Sequence, residues 1–166
     1  MPKTSQRIAP CLWFDHQAEE AAQFYVGIFP NSKVGSIARY DANTARAAGR
    51  PEGSVMTVTF ELDRQQFMAL NGGPVFHFTE AISFMVSCET QAEVDHFWDR
   101  LSAGGQQVEC GWLKDRYGVA WHVVPTILVT LLQDQERDAE KAKRVMAAML
   151  QMKKFDIAAL ERAARG

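Results

Sequence analysis

The chain is short of the features that mark most common biochemistries. It has three cysteines, Cys11, Cys88 and Cys110, with no C-x-x-C pair among them. An odd count without paired spacing argues against a disulfide framework or a four-cysteine zinc site. It points to a reducing compartment in which thiols serve as small buried hydrophobes. No apolar run reaches the length of a membrane span, and Met1 to Pro10 is short and polar, without the apolar core of a secretory leader. These absences predict a cytoplasmic protein with no membrane partner. Positive charge is not in excess either: 18 Lys and Arg stand against 20 Asp and Glu, for a net charge of −2. No basic stripe is available for a nucleic acid. Phosphate-cradling G-x-G-x-x-G and Walker loops are missing, as is the G-x-S-x-G elbow, and no histidine pair has metal-ligand spacing. No cofactor is predicted.

What is present is enough for a sizeable core. The chain has 166 residues, 47% of them hydrophobic and 23% charged, the size of one domain or two small modules. Ile8 to Phe14 reads as a short apolar strand. Asp15 is placed to cap a helix whose Ala21, Phe24, Tyr25 and Ile28 fall at helical spacing, with Glu19 and Glu20 in its first turn. Strands are predicted over Lys33 to Tyr40, Ser54 to Leu62 and Gln65 to Leu70, with an exposed loop over Asp41 to Gly53. After Asn71-Gly72-Gly73-Pro74 the order starts again. Ile82 to Cys88 is a strand, and Thr90 with Glu93 forms a capping box for a helix whose Val94, Phe97, Trp98 and Leu101 make an apolar stripe. Gln106 to Trp112 and Val119 to Val124 complete a second set of strands. Q-A-E recurs at Gln17 to Glu19 and Gln91 to Glu93, each followed by an aromatic pair. The chain therefore reads as a duplicated βαβββ unit.

The segment boundaries that follow are 1–74 for the first module, 75–132 for the second, and 133–166 for a helical extension. In that extension Val145, Met146, Met149 and Met152 lie at helical spacing, and Asp156 caps a last helix through Ile157 and Leu160. The extension packs on the domain or across a dimer; a Met-rich face for a protein partner is the sharper alternative.

The histidines differ in setting. His16 and His96 read as solvated, and His77 as a linker residue after the glycine-rich turn. His122 lies inside V-A-W-H-V-V-P, so it must either find a partner within the core or line a cavity.

The stretches I-A-P-C-L-W-F-D-H-Q-A-E-E-A-A-Q-F-Y, F-M-A-L-N-G-G-P and C-G-W-L-K-D-R-Y-G-V-A-W-H-V-V-P resemble the vicinal oxygen chelate superfamily of glyoxalases, bleomycin-resistance proteins and extradiol dioxygenases. Within it, the resemblance is to the PhnB-like branch labelled demethylubiquinone methyltransferase-like. It implies an α+β fold of two βαβββ modules, with mixed sheets curled around a cavity, and a homodimer. The family's metal-ligand positions fall at Pro10, Ala81 and His122; proline and alanine side chains cannot ligate, so no metal is expected. The cavity candidates implied are Pro10, Leu12, Phe14, Trp112 and His122, with Asn71 at the rim and His122 as the best catalytic candidate. The expected function is small-molecule binding or metal-independent catalysis on an unknown substrate. The alternatives are a divalent-metal-dependent lyase, isomerase or dioxygenase, a drug-sequestering resistance protein, or the methyltransferase of the label.

Overall fold

The computed structural model describes residues 6–133 and 138–166. Contacts divide the chain into two units, Met1–His77 and Phe78–Gly166. The first unit contains β1 (Cys11–Phe14), α1 (Ala18–Val26), β2 (Lys33–Arg39), α2 (Ala42–Ala48), β3 (Val55–Leu62) and β4 (Gln65–Asn71). Its sheet runs β1-β4-β3-β2, with β1 parallel to β4 and the other pairs antiparallel. Asp63 and Arg64, both at positive φ, turn β3 tightly into β4. The second unit contains β5 (Phe84–Cys88), α3 (Gln91–Ser102), β6 (Gln106–Gln107), β7 (Trp112–Lys114), β8 (Ala120–Pro125), and the helices α4 (Thr126–Gln133), α5 (Ala139–Met149) and α6 (Ile157–Arg165). Its sheet runs β5-β8-β7-β6, again with the first pair parallel.

The two sheets share one connectivity, so the duplication legible in Q-A-E is a duplication of topology. The registers make it specific. Leu12 pairs with Ala69 as Val86 pairs with Val123, and Cys11 pairs with Met68 as Met85 pairs with His122. The same offset that relates Leu12 to Val86 relates Gln17 to Gln91. His122 is thus the second-unit counterpart of Met68.

Alternation in each sheet separates a helix-covered face from the opposite one. In the first unit Leu12, Phe14, Val58, Phe60, Leu62, Phe67 and Ala69 are buried. They share the face on which α1 packs, where Tyr25 stacks on Phe60 and Phe60 on Phe67. In the second unit Val86, Cys88, Leu113, Trp121 and Val123 are buried on the face carrying Val94, Trp98 and Leu101 of α3. The Thr90–Glu93 capping box forms as the sequence predicts.

Three local expectations are corrected. Asp41 to Gly53 is not a loop throughout. Asp41 caps α2 by accepting from the Asn43 and Thr44 backbone N–H groups, and Gly49 ends that helix in a left-handed conformation. Asp15 does not cap α1. Its carboxylate pairs with Arg50 at 3.3 Å, while the backbone N–H of Ala18 donates to Asn71 Oδ1 at 2.8 Å. The single strand expected over Gln106 to Trp112 is broken, because Cys110 and Gly111 both take positive φ and fold the chain back between β6 and β7.

At the C-terminus, Asp138 and Asp156 cap α5 and α6. The helix expected from Glu136 begins at Ala139; residues 136 and 137 lie outside the described residues. Cys88 is buried as expected, and Cys110 partly so, but Cys11 is exposed. Burial, with the Glu93 charge adding to it, pushes the Cys88 thiol up to about 12, so it stays protonated at neutral pH. Among the described residues no helix is long and apolar enough to cross a membrane.

Candidate functional site

In the second unit one row of side chains crosses the sheet on the face away from α3. Register places Met85 of β5, His122 of β8 and Trp112 of β7 side by side. The Trp112 and His122 rings stack at 4.4 Å between centroids and 17° between planes. Met85 is 64% exposed, and both rings are half-buried. Lys114 on the same face pairs with Glu80, and that contact holds the Glu80 carboxyl below its usual range.

The protonation of His122 follows from its partner. Nε2 stands 3.0 Å from the carbonyl oxygen of Cys110. A carbonyl only accepts, so Nε2 carries the hydrogen and donates. Burial holds the imidazole below its ordinary pKa, while the Cys110 carbonyl opposes that shift. At neutral pH the ring is therefore neutral, and Nδ1 has its lone pair free of that bond. The site offers an acceptor nitrogen between an indole and a thioether, an arrangement that suits an apolar molecule carrying an O–H or N–H donor.

The depressed pKa has a stability consequence. The unfolded chain binds the His122 proton more tightly than the folded one. Folding stability therefore rises with pH through the window below the imidazole's usual 6.5 and is lost as pH falls through the folded value. Denaturation free energies measured from about pH 5 to 7 should show a steeper acid loss for the natural protein than for His122→Gln. Parallel curves would contradict the buried neutral ring.

The other residues singled out from sequence go elsewhere. Leu12 and Phe14 lie in the core, 6% and 3% exposed, on the helix-covered face. Pro10, half-buried just before β1, accepts from the backbone N–H of Met68 through its carbonyl. Asn71 is 4% exposed and fully engaged: Oδ1 accepts from Ala18 N–H, Nδ2 donates to the Val55 carbonyl at 3.1 Å, and its own carbonyl accepts from the Tyr40 hydroxyl. These bonds clasp the end of β4 to the start of α1, to Val55 and to Tyr40.

On the face of the first sheet away from α1 stand Cys11, Trp13, Met68 and Leu70 instead. Trp13 is the residue that sequence reasoning passed over. Its indole N–H donates to the Gly73 carbonyl at 2.8 Å, and Phe76 meets its ring edge-on at 4.9 Å. A Cβ on Gly72 would come within 2.1 Å of that indole. The glycine-rich turn therefore seats a tryptophan, and the signal was alternation within L-W-F: Trp13 and Leu12 cannot share a face. Ala81 lies in the turn before β5, not on a strand. Among the described residues no three His, Cys, Asp or Glu side chains cluster as a metal site would need.

The buried polar residue of C-G-W-L-K-D-R-Y-G is structural. Asp115, 3% exposed, accepts from the Tyr117 and Val119 backbone N–H groups through Oδ1 and from the Trp121 indole through Oδ2.

The model of a family described as 3-demethylubiquinone-9 3-methyltransferase matches residues 6–124. A PhnB protein from Bacillus cereus, described with the same name, is 36% identical; the match covers 73% of this chain and 100% of that one, with a TM-score of 0.65. A solved protein from Pseudomonas aeruginosa is 20% identical over 73% of this chain and 98% of its own, with a TM-score of 0.58. The fosfomycin resistance protein FosX from Listeria monocytogenes, solved with Mn(II) and sulfate, is 14% identical over 80% and 97%, with a TM-score of 0.51. The last two are likenesses of fold alone. No curated protein matches the chain.

Proposed function

The chain belongs to the 3-demethylubiquinone-9 3-methyltransferase family, and from that membership we propose that its second sheet binds a small apolar molecule through a hydrogen bond to His122. The observation that carries the reading is the Nε2 bond to the Cys110 carbonyl, which leaves Nδ1 as the acceptor. Trp112 supplies a flat aromatic surface, and Met85 a polarizable side chain that adapts to shape. The ligand class is an apolar body bearing one O–H or N–H. A neutral imidazole can also take a proton from such a donor, so proton transfer is open to a substrate of this kind.

The probe pair is 1-naphthol and naphthalene, which differ by the donor alone. Calorimetric titration and ligand-observed NMR should find 1-naphthol bound more tightly than naphthalene by about tenfold, the value of roughly 1.4 kcal/mol for one hydrogen bond. His122→Phe should erase that difference, and Trp112→Ala should weaken both. Equal binding of the two molecules, or a preference that survives His122→Phe, would overturn the proposal.

A further inference from the structure

The carbonyl that orients His122 belongs to a peptide that is held from outside its own strands. Cys110 and Gly111 are consecutive left-handed residues, with φ of 57° and 79°. Such a conformation is costly for a non-glycine residue and persists where surrounding structure over-determines it. Here the surrounding structure is the turn between α5 and α6. The backbone N–H of Cys110 donates to the Met152 carbonyl, and that of Gly111 to the Lys153 carbonyl, each at 2.7 Å. The Gly111 carbonyl in turn accepts from Val123 N–H, one residue beyond His122. Phe155, 1% exposed, closes over the peptide: a Cβ on Gly111 would come within 2.4 Å of its ring and 2.6 Å of the Val123 carbonyl. The turn itself is anchored to α3. Gln91 donates to the Phe155 carbonyl and accepts from Ile157 N–H, and Lys154 pairs with Asp95 at 2.9 Å.

The clamping side of these contacts, Met152 to Ile157, lies beyond residue 124, where the family match ends. We infer that the α5–α6 turn is a positioning element for His122: by clamping the Cys110–Gly111 peptide it aims the Cys110 carbonyl at Nε2 and so leaves Nδ1 to the ligand. The inference rests on reading His122 as the ligand's acceptor. It assigns the C-terminal helices a part in the site, in addition to covering the core. Met152, Lys153 and Phe155 touch no ligand in this scheme; they act through the Cys110 carbonyl.

The test reads the His122 ring directly. In the 166-residue chain near neutral pH, a ring Nε2–H held by a carbonyl exchanges slowly enough to give its own ¹H–¹⁵N signal. That signal should be present in the natural protein and in Val58→Ala, which opens a cavity in the core of the first unit. It should be lost in Gly111→Ala and in Phe155→Ala, and 1-naphthol should lose its advantage over naphthalene in the same two variants. A folded Gly111→Ala or Phe155→Ala protein whose Cys110 and Gly111 amides exchange freely while the ring signal persists would overturn the inference. A second measurement decides the matter even if both variants fail to fold. As denaturant is raised on the natural protein, the Cys110 amide, the Gly111 amide and the His122 ring hydrogen should lose protection together. A ring hydrogen still protected after both amides are released would overturn it too. If the ring signal behaves as stated and neither probe binds, the ligand reading fails and the positioning stands.

Discussion

Asp115→Ala should cost about 3–5 kcal/mol of folding stability, because it leaves the donors of a buried hydrogen-bond network unpaired. The carboxylate is nearly inaccessible and accepts from two backbone N–H groups and the Trp121 indole. Alanine would leave those donors buried and unpaired, each at about 1–3 kcal/mol before relaxation. A protein of ordinary stability, roughly 5–15 kcal/mol, would lose a large share of it. Thermal unfolding should fall by about 10 °C or more, and Trp121 fluorescence should change as its indole loses its acceptor. Asp115→Asn should fall between, since an amide keeps one acceptor oxygen but presents an N–H₂ where a second acceptor was needed. A variant with native stability and altered ligand binding would show that Asp115 belongs to the site after all.

Asn71 carries the second large effect, about 2–4 kcal/mol for Asn71→Ala, from the buried Ala18 N–H losing its acceptor and the part-buried Val55 carbonyl losing a donor. The reason lies in the asymmetry of the repeat. In the second unit Thr90 caps its own helix, whereas Gln17 at the start of α1 makes no side-chain cap. Asn71, at the end of β4, supplies the missing acceptor to Ala18 N–H across the fold. Its counterpart in the second unit is Pro125, which has no such role to play. Asn71→Asp is the discriminating variant. It keeps the acceptor for Ala18 but turns a carboxylate oxygen toward the Val55 carbonyl, so it should lose at least as much stability as the alanine variant near neutral pH and recover part of it when the carboxyl is protonated. Denaturant midpoints for the two variants check this; an aspartate variant as stable as the natural protein would contradict the assignment of both bonds.

These two residues mark where the sequence stops being legible. Alternation in S-V-M-T-V-T-F-E-L, the Thr90–Glu93 box and the repeat of Q-A-E announce strands, a helix start and a duplicated topology, because each depends on neighbours close in sequence. Asn71 and Asp115 depend on partners brought near by folding, so the sequence places Asn71 at a rim and does not single out Asp115. The same limit explains Leu12 and Phe14. Period two correctly groups them, but nothing within C-L-W-F says which of its two faces α1 will cover. His122 was legible as an anomaly, a half-polar ring in an apolar strand. Its stacking partner, its tautomer and the carbonyl behind it were not, since the left-handed Cys110–Gly111 peptide breaks what the apolar pattern presents as one strand. Met85 became visible only through the parallel register of β5 with β8.

His122 stands neutral, with its hydrogen on Nε2 and an acceptor lone pair on Nδ1. A ring ¹⁵N titration of selectively labelled histidine measures it most directly. The account predicts a His122 pKa below 6.5, a protonated Nε2 at neutral pH, and an Nδ1 resonance that moves toward the hydrogen-bonded range when 1-naphthol is added. An imidazolium at neutral pH, or a neutral ring protonated on Nδ1, would contradict it.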